Sequence, residues 1–342
     1  MFRNSRLFKI FVYVVVAVTV FACLPVSSSA SSVNLTTQIT HTKDFIVQNA
    51  VPVRNWNETV MYSAVGFFTL TEIEPFIPES DVSSAYTTAT RILSLISVGE
   101  LNRELAAEDP EVDALSDMQK EDGSFGDLNS TLYSVMALKA CGELFMSEKA
   151  VEYILSFQAE DGGFYVDGEH PVVTTSRVMT VLSEFGLDPK VSDALNKTIE
   201  FVKSQRAEDG FFDDGRCDTV CAALIGLVDL GVTVTGDDWG KMVNNLVKFR
   251  NDDYSYNMHI DDEQFDTSAT LHAIASFDAV GNGKSVYVRL MEDGALNQYS
   301  LKDYLHIFKG YGIIALVSVV FWIYFMFFKN RKKNKKAVDI ND

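Results

Sequence analysis

Cysteine is scarce in this chain of 342 residues: Cys23, Cys141, Cys217 and Cys221 are all it has. Three of them fall in the body of the protein, an odd number and too few for a disulfide scaffold, so a hydrophobic core must do the stabilising. Positive charge is scarce too, and where it is missing matters. Of 29 lysines and arginines against 47 acidic residues, three precede an N-terminal apolar run and six stand in a C-terminal tail that also holds two acids, which leaves 20 against 45 for the body. Such a surface repels a phosphate backbone and excludes nucleic acid as a partner. Its acidity otherwise reads as a solvated, soluble face.

Charge is absent altogether from two stretches. Arg3, Arg6 and Lys9 precede the apolar run Ile10 to Leu24, and the small residues Ser28, Ser29 and Ala30 follow. That is the layout of a secretory signal peptide, cut after Ala30. A retained signal anchor is the alternative, against which the short run and Pro25 argue. Gly310 to Phe328 carries no charge over nineteen positions, enough at about 1.5 Å per residue to cross a hydrocarbon core of roughly 30 Å. The basic cluster Lys329 to Lys336 abuts it and holds that end in the cytosol. The expected layout is a single-pass type I membrane protein: signal 1–30, extracytoplasmic domain 31–309, span 310–328 and basic tail 329–342. The body then faces the endoplasmic reticulum lumen or the cell surface. Sequons at Asn34, Asn57, Asn129 and Asn196 are expected glycosylation positions on such a route.

Between the ends a motif recurs. Gln119, Asp122, Gly123 and Phe125 return as Gln158, Asp161, Gly162 and Phe164, and again as Gln205, Asp209, Gly210 and Phe212, with a degenerate fourth version in Arg250 to Tyr256. The aspartates stand 39 and 48 residues apart. After each motif comes a stretch opening on Ser130, Thr174, Asp218 or Asp266 with apolar or small residues three and four apart, a capped helix. Amphipathic stretches from Lys149, Val191 and Trp239 follow, and a last partial unit is expected from Glu292. A period of 40 to 50 residues built of two helices means stacked hairpins whose apolar faces only neighbours can bury. Asp-Gly supplies a turn with an acceptor side chain and a residue tolerant of positive φ. The Phe is expected to plug the gap between hairpins, and the Gln to pair turn backbone groups.

The Gln-x-x-Asp-Gly-x-Phe motif with its small-residue helix resembles the repeat of protein prenyltransferase β subunits and of squalene cyclases, over roughly Asn57 to Phe308. The resemblance implies an all-α fold, an α/α toroid of about five to six hairpins, here followed by one transmembrane helix. Related toroids serve as thioester domains, vitamin carriers and the lumenal domain of ribophorin II in oligosaccharyltransferase, so activity must be read from the residues.

Those residues depart from the family's catalytic patterns. The zinc motif Asp-x-Cys is implied at Cys217, yet Asp214 stands three residues before it, and Asp266 replaces the later histidine. Cys217 and Cys221, four apart, with His259 or His272, remain weak metal candidates against a reading as core fillers. The cyclase acid run reads Glu263 to Thr267 with Phe265 at the central carboxylate, and Leu144 replaces the glutamine of a thioester motif after Cys141-Gly142-Glu143. No cofactor and no catalytic residue is assigned. The expectation is a non-catalytic binding or scaffolding toroid held at a membrane among other membrane or lumenal subunits, with ribophorin II as the specific resemblance. An enzyme acting on isoprenoids or other lipids, or a receptor for a small ligand, is the alternative.

Overall fold

The computed structural model describes residues 33–295, except 67, 69, 70, 237 and 238. Among them are thirteen α-helices and no strand beyond two isolated bridges. Six helices form an inner ring: α2 (Trp56–Ser63), α3 (Ala85–Val98), α6 (Leu128–Cys141), α8 (Pro171–Ser183), α10 (Cys217–Asp229) and α12 (Thr267–Asn282). Each packs on the next, and α12 returns to α2, so the ring closes. Outside it lie α1 (Leu35–Gln48) on α12, α5 (Pro110–Asp117) on α3 and α6, α7 (Ser147–Leu155) on α6, α9 (Pro189–Gln205) on α8 and α11 (Gly240–Leu246) on α10. The short α4 (Arg103–Ala106) touches α6, and α13 (Val286–Asp293) packs on α6, α2 and α8.

The division into layers follows from composition. Inner helices touch neighbours on nearly every side, and α6 accordingly buries small and polar residues such as Thr131, Ser134 and Ala137 beside Leu132 and Leu138. The outer α9 buries only Val191, Ala194, Leu195, Thr198, Phe201 and Val202, a single stripe at helical spacing. Helix starts depart from the sequence expectation. Asp266 does cap α12, accepting from Ala269 N, but α6 is capped by Asp127 and α8 by His170, while α10 starts at Cys217 with no side-chain cap. Ser130, Thr174 and Asp218 fall inside the first turns, because a hydroxyl or carboxylate there can also bond locally without ending the helix.

Three Asp-Gly turns share one geometry. The carboxylates of Asp122, Asp161 and Asp209 accept from Ser124 N at 3.0 Å, Gly163 N at 2.9 Å and Phe211 N at 3.1 Å. Gly123, Gly162 and Gly210 then adopt φ of 88°, 90° and 91°, where a Cβ is costly. Phe125, Phe164 and Phe212 are buried, each such ring contributing roughly 1.5–3 kcal/mol on removal from water. Gln119 Nε2 donates to Gly123 O and Met146 O while its Oε1 accepts from Met146 N, so one side chain ties the turn to the next hairpin. Gln158 repeats this toward Gly162 O and Ala194 O. At the third turn Gln205 donates only to Ser204 Oγ, and Asn245 of α11 reaches back to Asp209 O instead.

The fourth turn is built without glycine. Tyr254 occupies the slot at φ 69°, under the Arg250 guanidinium at 4.5 Å and beside the His41 ring at 4.6 Å. Arg250 stands where the first two turns have Gln and the third has Arg206, and it donates to Gln38 Oε1 of α1, which also accepts from Tyr256 Oη. This turn therefore stitches the last hairpin to the first described helix and closes the ring. Glu292 and Asp293 end α13, which lies over the ring's hollow; the rest of the partial unit expected from Glu292, the expected span 310–328 and the expected signal 1–30 lie outside the described residues.

A Cβ on Gly162 would lie 2.5 Å from Lys197 O, whereas at Gly168, also at positive φ, nothing lies within 4 Å. Gly162→Ala should therefore lower stability by more than about 1 kcal/mol, and by clearly more than Gly168→Ala. Urea unfolding midpoints of the two variants check the comparison.

Candidate functional site

The inner ring holds an open pocket of about 80 Å³ lined by Asn57 and Met61 of α2, Tyr133 and Met136 of α6, Val173, Ser176, Arg177 and Thr180 of α8, Ala222 and Ile225 of α10, His272 of α12, and Tyr287 of α13. The walls are mostly apolar with one fixed charge. Arg177 sits in the otherwise uncharged run PVVTTSRVMTVLS of α8, and helical spacing turns it into the hollow. Its guanidinium forks onto Glu169, with Nη2 to Oε1 at 2.8 Å and Nη1 to Oε2 at 3.0 Å, and Nη1 also donates to Asn129 Oδ1 at 2.8 Å. The guanidinium carbon stands 5.3 Å from the centre of the Tyr133 ring. Burial alone would raise the Glu169 carboxyl, but the hydrogen bonds and charge of Arg177 overrule it and hold it below its ordinary value. Burial pushes Tyr133 up to about 12, so its phenol stays protonated beside the cation.

Two further polar groups face the same space. The Ser176 hydroxyl is buried and has no hydrogen-bond partner among the described residues, an arrangement that a water or a guest's polar atom would satisfy. His272 Nδ1 lies 2.7 Å from Ser268 O, the geometry of an N–H donated to that carbonyl.

α13 is the stopper of this hollow. It buries Val286, Tyr287, Val288, Leu290 and Met291. Tyr287 Oη donates to Asn57 Oδ1 from within the cavity wall. At its C-terminal end Arg103 donates to Met291 O and Glu292 O and, through Nε, to Ala140 O at the end of α6. At its N-terminal end the Asp229 carboxylate accepts from Ser285 N, Ser285 Oγ and Thr180 Oγ1. Burial pushes that carboxyl up to about 6, the hydrogen bonds from Ser285 and Thr180 offsetting it in part.

The residues singled out from the sequence lie elsewhere. The Asp-Gly turn residues are part of the hairpin seams and none lines the cavity. Cys217 and Cys221 are fully buried with their sulfurs 4.0 Å apart, and burial, then Cys221, pushes the Cys217 thiol well up. His259 is exposed on its loop, paired with Asp262, so it does not join the cysteines, and His272 faces the cavity. Among the described residues no three His, Cys, Asp or Glu side chains are grouped to hold a metal. Gly142, after Cys141, is a left-handed helix stop at φ 74°. Of the sequons, Asn34 and Asn196 are exposed. Asn57 accepts from Tyr287 in the cavity wall and Asn129 from Arg177, each through its Oδ1. Arg177, Glu169, Tyr133 and Asp229 escaped the sequence reading; the lone arginine in an apolar helix was the one available signal.

A closed ring of six inner helices with helices outside it defines an α/α toroid. The pattern of the prenyltransferase alpha-alpha toroid domain matches residues 29–175 and 132–299, and the chain belongs to that family. No curated protein matches it in sequence.

Two outcomes follow. Glu169→Ala strands a buried guanidinium, a change that typically costs about 3–5 kcal/mol; Arg177→Met in the same background should recover part of the loss, as thermal or urea unfolding would register. For Asp229, a folded pKa of about 6 above an unfolded value of about 3.9 means that the native state binds more protons between them, so its contribution to stability falls as pH rises through that window. Asp229→Asn should remove this trend, seen as a stability difference from wild type that changes between pH 4 and pH 6.5.

Proposed function

We propose that this protein is a membrane-tethered, non-catalytic toroid that binds or scaffolds other proteins, its body outside the cytosol, its span at 310–328 and its basic tail inside. The observation that carries the non-catalytic reading is the stopper. With α13 seated, the hollow retains about 80 Å³, against the roughly 300–1,000 Å³ typical of ligand clefts. That volume beside Tyr287 is small for an isoprenoid chain, and the Arg177 guanidinium in the wall is already neutralised by Glu169. Support for the tether comes from the uncharged run and its flanking lysines; among the described residues no helix is long and apolar enough to cross a membrane. The ribophorin II resemblance adds a role as an accessory subunit of an oligosaccharyltransferase, resting on the order of signal, toroid and span and on the stretch NETVMYSAVGFFTLTEI from Asn57, which resembles that family's first hairpin.

The family also accommodates an enzyme acting on isoprenoids, and that reading requires α13 to leave the hollow. The full chain, purified in mild detergent, is expected to leave isoprenoid diphosphates and squalene unchanged and to co-purify with defined membrane or lumenal subunits. Turnover abolished by Arg177→Met would overturn the scaffold reading. Topology is tested separately: protease added to intact vesicles should remove the tail after Lys329 and spare the body, and a protected tail would reverse the orientation.

A further inference from the structure

A second cavity, of about 230 Å³, opens where α8 and α10 end and α9 begins, lined by Ser183, Ser192, Leu195, Asn196, Ile199 and Asp229 among others. Asp229 is the one ionisable side chain in its wall. Every hydrogen bond to that carboxylate comes from a neutral donor: Thr180 Oγ1 at 2.7 Å, Ser285 N at 2.7 Å and Ser285 Oγ at 2.8 Å. Lys139 pairs with Glu184 at 3.3 Å, Lys190 with Glu152 at 3.9 Å and Lys284 with Glu292 at 2.5 Å, and Arg289 pairs with Asp278. Asp229 thus has no cationic partner among the described residues.

A carboxylate set deep in a protein is costly unless a cation joins it. Three donors leave about one of its roughly four acceptor directions unused, and the residue lines the cavity. The rest of the wall says which kind of cation fits. A calcium ion takes about 6–8 oxygen ligands, whereas this wall offers one carboxylate, an amide and hydroxyls beside Leu195, Ile199 and Leu230. One charge next to aliphatic carbon matches a charged nitrogen carried on a short carbon chain. We propose that this cavity binds a small organic ammonium ion, its nitrogen on Asp229, its carbon chain against Leu195 and Ile199, and any further polar group toward Ser192. The site adjoins the central hollow through Thr180, whose hydroxyl donates to Asp229, and does not depend on whether that hollow is catalytic.

The test uses the full chain in mild detergent, produced in a host that does not glycosylate Asn196, and isothermal titration with n-butylammonium chloride. 1-Butanol is the neutral isostere, and potassium chloride at equal ionic strength controls for salt. Butylammonium is expected to bind saturably, one per chain, at least tenfold more tightly than butanol, with potassium chloride giving no saturable heat. Asp229→Asn and Ser192→Trp should each weaken it at least tenfold, the first by removing the charge and the second by filling the cavity while leaving the carboxylate's hydrogen bonds in place. If Asp229→Asn fails to fold, Ser192→Trp decides alone. Equal affinity for butylammonium and butanol, absence of saturable binding, or unchanged affinity in Ser192→Trp would each overturn the proposal.

Discussion

Three successive hairpins of this toroid depend on the seat that an Asp-Gly turn makes against the next outer helix. The chain must reverse within a few residues while its backbone is pressed against a neighbour, which leaves no space for a Cβ at Gly123 or Gly162 and demands a positive φ there. Burying the following Phe rewards the close approach, and burying the turn's peptide groups penalises it unless they are paired. Gln119 and Gln158 resolve the conflict by bonding the turn and the neighbouring hairpin at once. A hydroxyl in the first turn of the inner helix completes the seat, Thr131 accepting from Phe125 N and Thr175 from Phe164 N.

The closure of the ring shows how far the device can vary. At the fourth turn Tyr254 takes the strained position and Arg250 the place of Gln, yet Asp253 still accepts from Ser255 N and Thr270 from Tyr256 N. The change of residue type follows the change of neighbour. Here the turn meets α1, whose Gln38 offers an acceptor to both Arg250 and Tyr256, and a guanidinium spans that junction where a carboxamide bridged the others.

Closing a ring of helices leaves a hollow, and what fills it separates one toroid's chemistry from another's. In this chain α13 is held over it at both ends, by Arg103 on terminal carbonyls and by Asp229 on Ser285. Arg177 and Glu169 then neutralise each other in the remaining space. A buried pair of this kind is weak support for stability but a strong constraint on arrangement, since either partner alone is heavily penalised. The same logic makes Asp229 conspicuous, for it is anchored by neutral donors only.

Much of the fold was legible in the chain. Repetition of Gln, Asp, Gly and Phe at near-constant spacing exposed the hairpins, because turn geometry is local and glycine and aspartate declare it wherever they fall. Helix starts were legible less well: Asp127 and His170 cap α6 and α8, while Ser130 and Thr174, which look equally suitable, lie one turn inside. The contents of the hollow were not legible at all. Arg177 and Glu169 are eight residues apart, but Tyr133, Asn57 and Tyr287 come from α6, α2 and α13, and only the closing of the ring makes them neighbours. The course of α13 was hidden for the same reason. Its amphipathic pattern suits an outer helix as well as a stopper, and the choice rests on which apolar surface the rest of the ring leaves uncovered. Local chemistry determined the repeating unit by itself; ring closure, a long-range packing event, decided which side chains share the centre.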